Sequence, residues 1–289
     1  MNKTILIFGY GYVSKFLIPY LKDLGWTIYC TSRKAGLDSS YEDGSIKIVD
    51  FFSADLPSII KAADALLITA PPNQEIIDPV LQIYSDVISK SFFEWIGYLS
   101  STSVYGDHNG AWVDEHTECK PNNKKAIIRL AAEQEWLKLH LTHKLPVHIF
   151  RLSGIYGPNR NCLELIKNGK DFTIIKKHQY FSRVHVADIC EAIVASIKSP
   201  ASGDIYNVSD DEPAPINIVQ QFGASILNEK PLKEVLFENS DLSLQAKNFF
   251  NDNKKINSQK IKDHLKLMWK YPNYKLGLTK GCLPYLNNF

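Results

Sequence analysis

An α/β fold is predicted by this sequence, on three observations. Short β-branched runs alternate with amphipathic segments through the first two-thirds of the chain. A glycine-rich turn joins the first such run directly to a helical pattern. The runs are bounded, and none approaches the ~20 apolar residues a bilayer span needs. Apolar strands separated by helices build βαβ units, whose parallel sheet is covered on both faces.

The first strand is Lys3–Phe8. Its lysine and apolar stretch resemble a secretory leader, but the run is short and a glycine turn follows at once, so a strand is expected. A helix pattern follows at Tyr12–Leu24, with Pro19 inside it, where a kink or an early stop is expected. Strands at Thr27–Thr31, Ile46–Val49, Ala65–Thr69, Trp95–Ser100 and Val147–Leu152 then alternate with helix patterns near Leu56–Ala62, Glu75–Ser89 and Lys125–His140. Beyond Tyr156-Gly157-Pro158 the pattern loosens, leaving a helix at His185–Lys198 and a short strand at Asp204–Val208. The expected organisation is a doubly wound, Rossmann-type parallel sheet from 1–158 and 182–210. Segments 159–181 and 211–289 form a smaller C-terminal α+β lobe. The Asn- and Lys-rich run from Asn248 to Lys262 reads as a solvated surface.

Composition narrows the function. With 33 basic and 31 acidic residues among 289, the net charge is +2, which argues against a dedicated nucleic-acid binder. The 45% hydrophobic and 22% charged content is that of a globular chain rather than a disordered one. Five widely spaced cysteines without a CxxC pair exclude a zinc ribbon and make a disulfide framework unexpected, so a reducing, cytoplasmic location is anticipated. No histidine pattern suggests a metal site. His140 and His143 are read as exposed at a helix end. No GxSxG elbow supports a serine hydrolase.

The glycine turn reads Gly9-Tyr10-Gly11-Tyr12-Val13-Ser14, a GxGxxS variant of the dinucleotide fingerprint. Gly9 permits the tight turn. Gly11 lets backbone N–H groups approach a pyrophosphate at a helix N-terminus, where orphan donors and the dipole favour an anion. Ser14 is small enough for the helix to pack on the strand. After the second strand comes Thr31-Ser32-Arg33-Lys34, with no acid until Asp38, whereas an NAD site usually carries Asp or Glu there. Arg33 can pair with a 2′-phosphate and Ser32 can donate to it, so NADP is expected over NAD. Exposed loop residues are the alternative reading of Arg33 and Lys34.

Four further strings carry a family likeness: Ser100-Ser101-Thr102-Ser103-Val104-Tyr105-Gly106, Arg151 to Pro158, Ser182 to Ile189, and Ile205 to Asp210. Together with the glycine turn they resemble the extended short-chain dehydrogenase/reductase superfamily, the group of nucleotide-sugar epimerases and dehydratases. The C-terminal Tyr271-Pro272-Asn273-Tyr274 and Gly277-Leu278 resemble atypical bacterial members. The resemblance implies an NAD(P)-binding oxidoreductase or epimerase/dehydratase-like protein, acting on a sugar nucleotide or a small carbonyl compound. It also implies that Ser101 faces the substrate, that Asp50 meets the adenine, and that Ala70 and Pro71 pass beside the cofactor.

The superfamily's YxxxK proton-transfer dyad is replaced. In register, its Tyr falls on Lys125 and its Lys on Arg129, and no tyrosine lies between Tyr105 and Arg151. An unassisted phenol is a poor base at neutral pH, and a lysine serves as one only if burial lowers its pKa by several units. Ser101, Lys125 and Arg129 are therefore the catalytic candidates, with a catalytically silent NAD(P) sensor as the alternative. Tyr105, Tyr156, Arg160 and Arg183 are candidate substrate contacts. His185 reads as a structural hydrogen-bonder, with Asp188 partnering it or a backbone donor. A homodimer is a further expectation.

Overall fold

The computed structural model describes residues 3–33, 46–73, 77–243, 247 and 249–286. A seven-stranded sheet organises the chain. Its strands are β1 (Thr4–Phe8), β2 (Thr27–Ser32), β3 (Ile46–Asp50), β4 (Ala65–Ile68), β5 (Trp95–Ser101), β7 (Val147–Leu152) and β11 (Ile205–Val208), in the order β11-β7-β5-β4-β1-β2-β3. The order reverses at β1, and the β1–β2, β2–β3, β1–β4 and β4–β5 pairs are parallel, as a doubly wound α/β sheet requires. β4 is buried at every position, and β1 at all but Thr4, because parallel strands are covered on both faces.

The chain forms two units, residues 1–101, 123–151 and 190–206 in one, and 102–122, 152–189 and 207–289 in the other. Residues 102–122, expected with the parallel sheet, thus cluster in the second unit.

In the first unit α1 (Tyr12–Asp23), α2 (Leu56–Ala62), α3 (Pro79–Ser89) and α4 (Lys124–His143) pack on the sheet. α1 runs through Pro19 to Asp23, so the expected early stop does not occur; Pro19 sits on the helix's exposed side. Two helices are capped by side chains aimed into the fold. Asp78 Oδ1 accepts the N–H groups of Val80 (2.9 Å) and Leu81 (3.0 Å) at the start of α3, and its Oδ2 accepts Trp136 Nε1 (3.0 Å). Asn123 Oδ1 accepts Ala126 N–H (3.0 Å) at the start of α4. His140 is half-buried rather than loose at the helix end, its Nδ1 2.8 Å from Leu145 O.

The second unit is built from short pieces. β8 (Gly154–Tyr156) pairs with β10 (Arg183–His185), and β9 (Phe172–Ile175) with β12 (Lys233–Leu236). β6 (Trp112–Val113) pairs with β13 (Lys255–Ile256). Its core gathers Tyr156, Leu163, Val219, Tyr274 and Leu278.

The Asn248–Lys262 run is the principal correction to the sequence reading. Within its described part, Lys254, Ile256 and Ser258 are buried. Asn253 Oδ1 accepts Tyr180 N–H (3.0 Å), its Nδ2 donates to His178 O (2.8 Å), and its carbonyl accepts His108 and Gly110 N–H. Lys254 Nζ donates to Gly106 O (2.7 Å). Asparagine amides match backbone donors and acceptors, so a polar run here serves as internal strapping.

Candidate nucleotide and substrate site

In the first unit the site begins where β1 ends. Gly9 has φ +120°, and a Cβ there would lie 2.5 Å from Thr69 Oγ1. The turn is held from three sides. Gly9 N–H donates to Thr31 Oγ1 (3.1 Å), while Ser14 Oγ (2.7 Å) and Thr69 Oγ1 (3.2 Å) donate to its carbonyl. Ser14 is fully buried, which explains the small residue at that place. Thr31 and Thr69 were not singled out in the sequence; their only signal was position at the ends of β2 and β4.

Gly11 is the N-cap of α1, extended, with no side-chain cap, and the first turn carries no acid. Tyr10 and Tyr12 flank it, with Lys15 Nζ 4.9 Å from the centre of the Tyr10 ring, and Val13 is buried under the turn. Ser32 closes β2 half-buried, and Arg33 is exposed beyond it. Lys34 and Asp38 lie outside the described residues. Asp50 Oδ1 accepts Phe52 N–H (2.7 Å), so that oxygen is used as a strand-end cap. Ala70 N–H donates to Phe8 O (2.8 Å), which fixes the start of the Ala70-Pro71 turn.

The catalytic candidates separate. Ser101 ends β5 half-buried. Lys125 is exposed in the first turn of α4, so the burial that proton transfer by this lysine requires is missing. Arg129 is half-buried, and its NH1 donates to Leu99 O (3.1 Å), a strut from α4 to β5. Below it, Ser100 Oγ donates to Glu133 Oε1, and Arg151 clasps Glu133 through Nε (3.1 and 3.2 Å) and NH2 (2.8 Å). This buried Ser–Glu–Arg lock fixes the carboxyl end of β5, one residue before Ser101.

In the second unit, Tyr105 is fully buried and its hydroxyl donates to Asn207 Oδ1 (2.8 Å). As a substrate contact it is withdrawn: no part of it reaches the surface. Tyr156 is 7% exposed, packed edge-on against His185 and over Gly277, with its hydroxyl directed to Asn273 O (3.4 Å). Arg160 is exposed beyond β8. Arg183 turns inward instead, and its NH1 donates to Phe181 O (2.7 Å) and Ala214 O (3.0 Å). His185 Nδ1 accepts Ala187 N–H (3.2 Å), so the ring is the neutral Nε2–H tautomer. Burial pushes its pKa down to about 4. Asp188 partners backbone donors, the N–H groups of Lys270 (2.7 Å) and Tyr271 (3.1 Å), rather than His185. Among the described residues no cluster of His, Cys, Asp and Glu has metal-site geometry.

Residues 85–209 match the NAD dependent epimerase/dehydratase family. A solved protein of unknown function from Silicibacter pomeroyi is 38% identical, with a TM-score of 0.90 over 96% of this chain and 97% of its own. The family match covers less than half of this chain. The dTDP-glucose 4,6-dehydratase of Streptomyces niveus is 29% identical over 120 residues, 38% of this chain and 35% of that enzyme. The match thus spans about a third of that relative's length. The same fold is seen in the dTDP-glucose 4,6-dehydratase of Bacillus anthracis in complex with NAD. It has a TM-score of 0.80 and 18% identity, covering 97% of this chain and 95% of that one. The UDP-glucuronic acid 4-epimerase of Bacillus cereus in complex with NAD has a TM-score of 0.81 and 16% identity, with 99% of both chains covered.

Proposed function

We propose that the chain is an NAD(P)-dependent epimerase/dehydratase-like oxidoreductase, acting on a sugar nucleotide or a small carbonyl compound. The observation that carries this reading is the Gly9 turn. Its shape is fixed by Thr31, Ser14 and Thr69, and it delivers the chain into an α1 whose first turn has neither a side-chain cap nor an acid. Such a turn suits a pyrophosphate, whose charge meets the N–H groups and dipole of the helix. A nicotinamide dinucleotide would supply hydride transfer when bound. Gly9, Tyr10, Gly11, Tyr12 and Val13 hold the pyrophosphate, and Ala70 and Pro71 lie beside the nicotinamide half. Asp50 Oδ2 meets the adenine, and Ser32 with exposed Arg33 meets a 2′-phosphate. The last pair favours NADP, although the solved relatives from Bacillus carry NAD. Ser101 orients the substrate hydroxyl or carbonyl, and Arg160 meets an anionic substituent.

A second reading is favoured by α4, where Lys125 is exposed and Arg129 is engaged with β5. On that reading the chain binds the dinucleotide and does not turn over, as a sensor does. Titration of the purified protein with NADPH and NADH tests both. Binding of NADPH that weakens at least about tenfold in Arg33→Ala, the loss of about 1.4 kcal/mol, supports the cofactor assignment. Absence of binding by either nucleotide overturns both readings. Turnover in a carbonyl and sugar-nucleotide screen then separates enzyme from sensor.

A further inference from the structure

The glycine turn spends two of its own donors on itself. Gly9 N–H goes to Thr31 Oγ1 (3.1 Å), and the Ser14 hydroxyl goes to Gly9 O (2.7 Å). The first hydrogen bond of α1 runs from Lys15 N–H to Gly11 O (3.0 Å), so the helix does not use the N–H groups of Tyr12, Val13 and Ser14. That first turn carries neither a capping side chain nor an acid. Lys15, the residue after Ser14, brings a second positive charge to the same end. It is exposed, and its ammonium lies 4.9 Å from the centre of the Tyr10 ring, inside the turn. Side chains on a helix tilt toward its N-terminus, which is how Lys15 reaches back to a residue that precedes the helix. The ring face holds the ammonium there by a cation–π contact.

We propose that Lys15 is a phosphate-contacting residue of the dinucleotide site, set by Tyr10 so that its ammonium pairs with the pyrophosphate alongside the N–H groups of α1. The proposal deepens the reading of the Gly9 turn as a pyrophosphate site and rests on it. Its physical ground is the sign of the local field. The N-terminal end of a helix is its positive pole, where a cation is disfavoured. Lys15 sits near that pole and is turned toward it, an arrangement that an anion between the two converts from repulsive to attractive. Lysine suits the task, because a compact charge with rotatable donors can follow phosphate oxygens that the fixed N–H groups leave unpaired. The dinucleotide fingerprint does not include this position, so the glycine pattern alone passes over it. Lys15 and Arg33 then divide the charge of the ligand. Arg33 is assigned to the 2′-phosphate that only NADP carries, and Lys15 to the pyrophosphate that NAD and NADP share.

Calorimetric titration of the full chain with NADPH, NADH, adenosine and inorganic pyrophosphate is the test. Lys15→Gln removes the charge from an exposed side chain and keeps a good helix former, so its thermal melt should match the wild type's. Its affinity for NADPH and for NADH should fall by the same factor, about tenfold, equivalent to about 1.4 kcal/mol, while adenosine is unaffected. The salt dependence of dinucleotide binding should also weaken. Tyr10→Leu, which takes away the ring, should lower both dinucleotide affinities more than Tyr10→Phe, which keeps it. Wild-type affinity for both dinucleotides in Lys15→Gln overturns the proposal. So does a loss confined to NADPH, which would move Lys15 to the 2′-phosphate. If the wild type binds neither dinucleotide, the proposed function fails and the pyrophosphate titration decides for Lys15. Weaker pyrophosphate binding by Lys15→Gln than by the wild type sustains the assignment, and equal or absent binding overturns it.

Discussion

Gly9 and His148 show how much single residues decide. At φ +120°, Gly9 is in a region that L side chains rarely enter, and an added Cβ meets Thr69. Gly9→Ala is therefore expected to cost about 1–3 kcal/mol in urea unfolding and to abolish dinucleotide binding. Gly11→Ala, where nothing lies within 4 Å of a built Cβ, should fold normally and lose affinity only. His148 is buried on β7, stacked on Trp95 at 5.8 Å, and burial pushes its pKa down to about 4. Between pH 6.5 and 4 the unfolded chain binds a proton at this site that the folded chain refuses. Stability therefore falls as pH drops through that window, by up to about 1.4 kcal/mol per pH unit for each such histidine. His185 adds a second proton of the same sign. Asp210, whose folded pKa is raised, acts oppositely: its contribution is present below its unfolded pKa and is lost as pH rises through the folded value. His148→Phe keeps the stack, so its unfolding free energy should change less between pH 7 and 5 than the wild type's. Equal changes would mean that His148 is not the source.

At the scale of the element, capping sets the entry of the two helices that brace β5. Asn123 gives α4 one side-chain bond, so Asn123→Ala should cost about 1 kcal/mol. Asp78 caps α3 twice and also accepts the Trp136 indole in a buried setting. Asp78→Ala should cost more than about 2 kcal/mol, since the indole N–H is left unpaired as well. Thermal melts of the two variants side by side check the ranking. Glu133→Gln, which leaves Arg151 buried against a neutral amide, is expected to destabilise by roughly 3 kcal/mol.

Elements were also where the sequence was most readable. The strands of the central sheet announced themselves because buried parallel strands are unbroken β-branched runs. The α4 lock was not legible. Glu133 and Arg151 belong to different elements, and no local pattern signals that they meet. Nor did charge spacing reveal that Arg129 is directed to a strand carbonyl rather than to a ligand.

Over the whole molecule, legibility falls where the chain stops being periodic. The first unit follows two patterns, unbroken apolar strand runs and helices of period 3.6, and these survive in sequence. The second unit is held by asparagine amides, backbone carbonyls and the Asp210–Glu212 run, which are read as solvated polarity until their partners are placed. Tyr105 was misjudged for the same reason: its motif marks the strand end, but only the fold shows Asn207 waiting for its hydroxyl. The C-terminal stretch is integral to that unit. Ile261, Trp269, Tyr271, Tyr274, Leu278 and Cys282 are all at most 8% exposed. Removing residues 258–289 should leave the second unit protease-sensitive, as limited proteolysis read by mass spectrometry would reveal. A truncated chain as resistant as the full one would contradict this.

The Asn253 strap bears on how this chain can diversify. Loops 107–110 and 178–180 each rely on the same asparagine for their backbone partners. Neither loop can be lengthened or exchanged without leaving polar groups of the other stranded. Recombination with a homologue should therefore succeed only when both loops travel with their own 251–254 segment, as one inherited cassette.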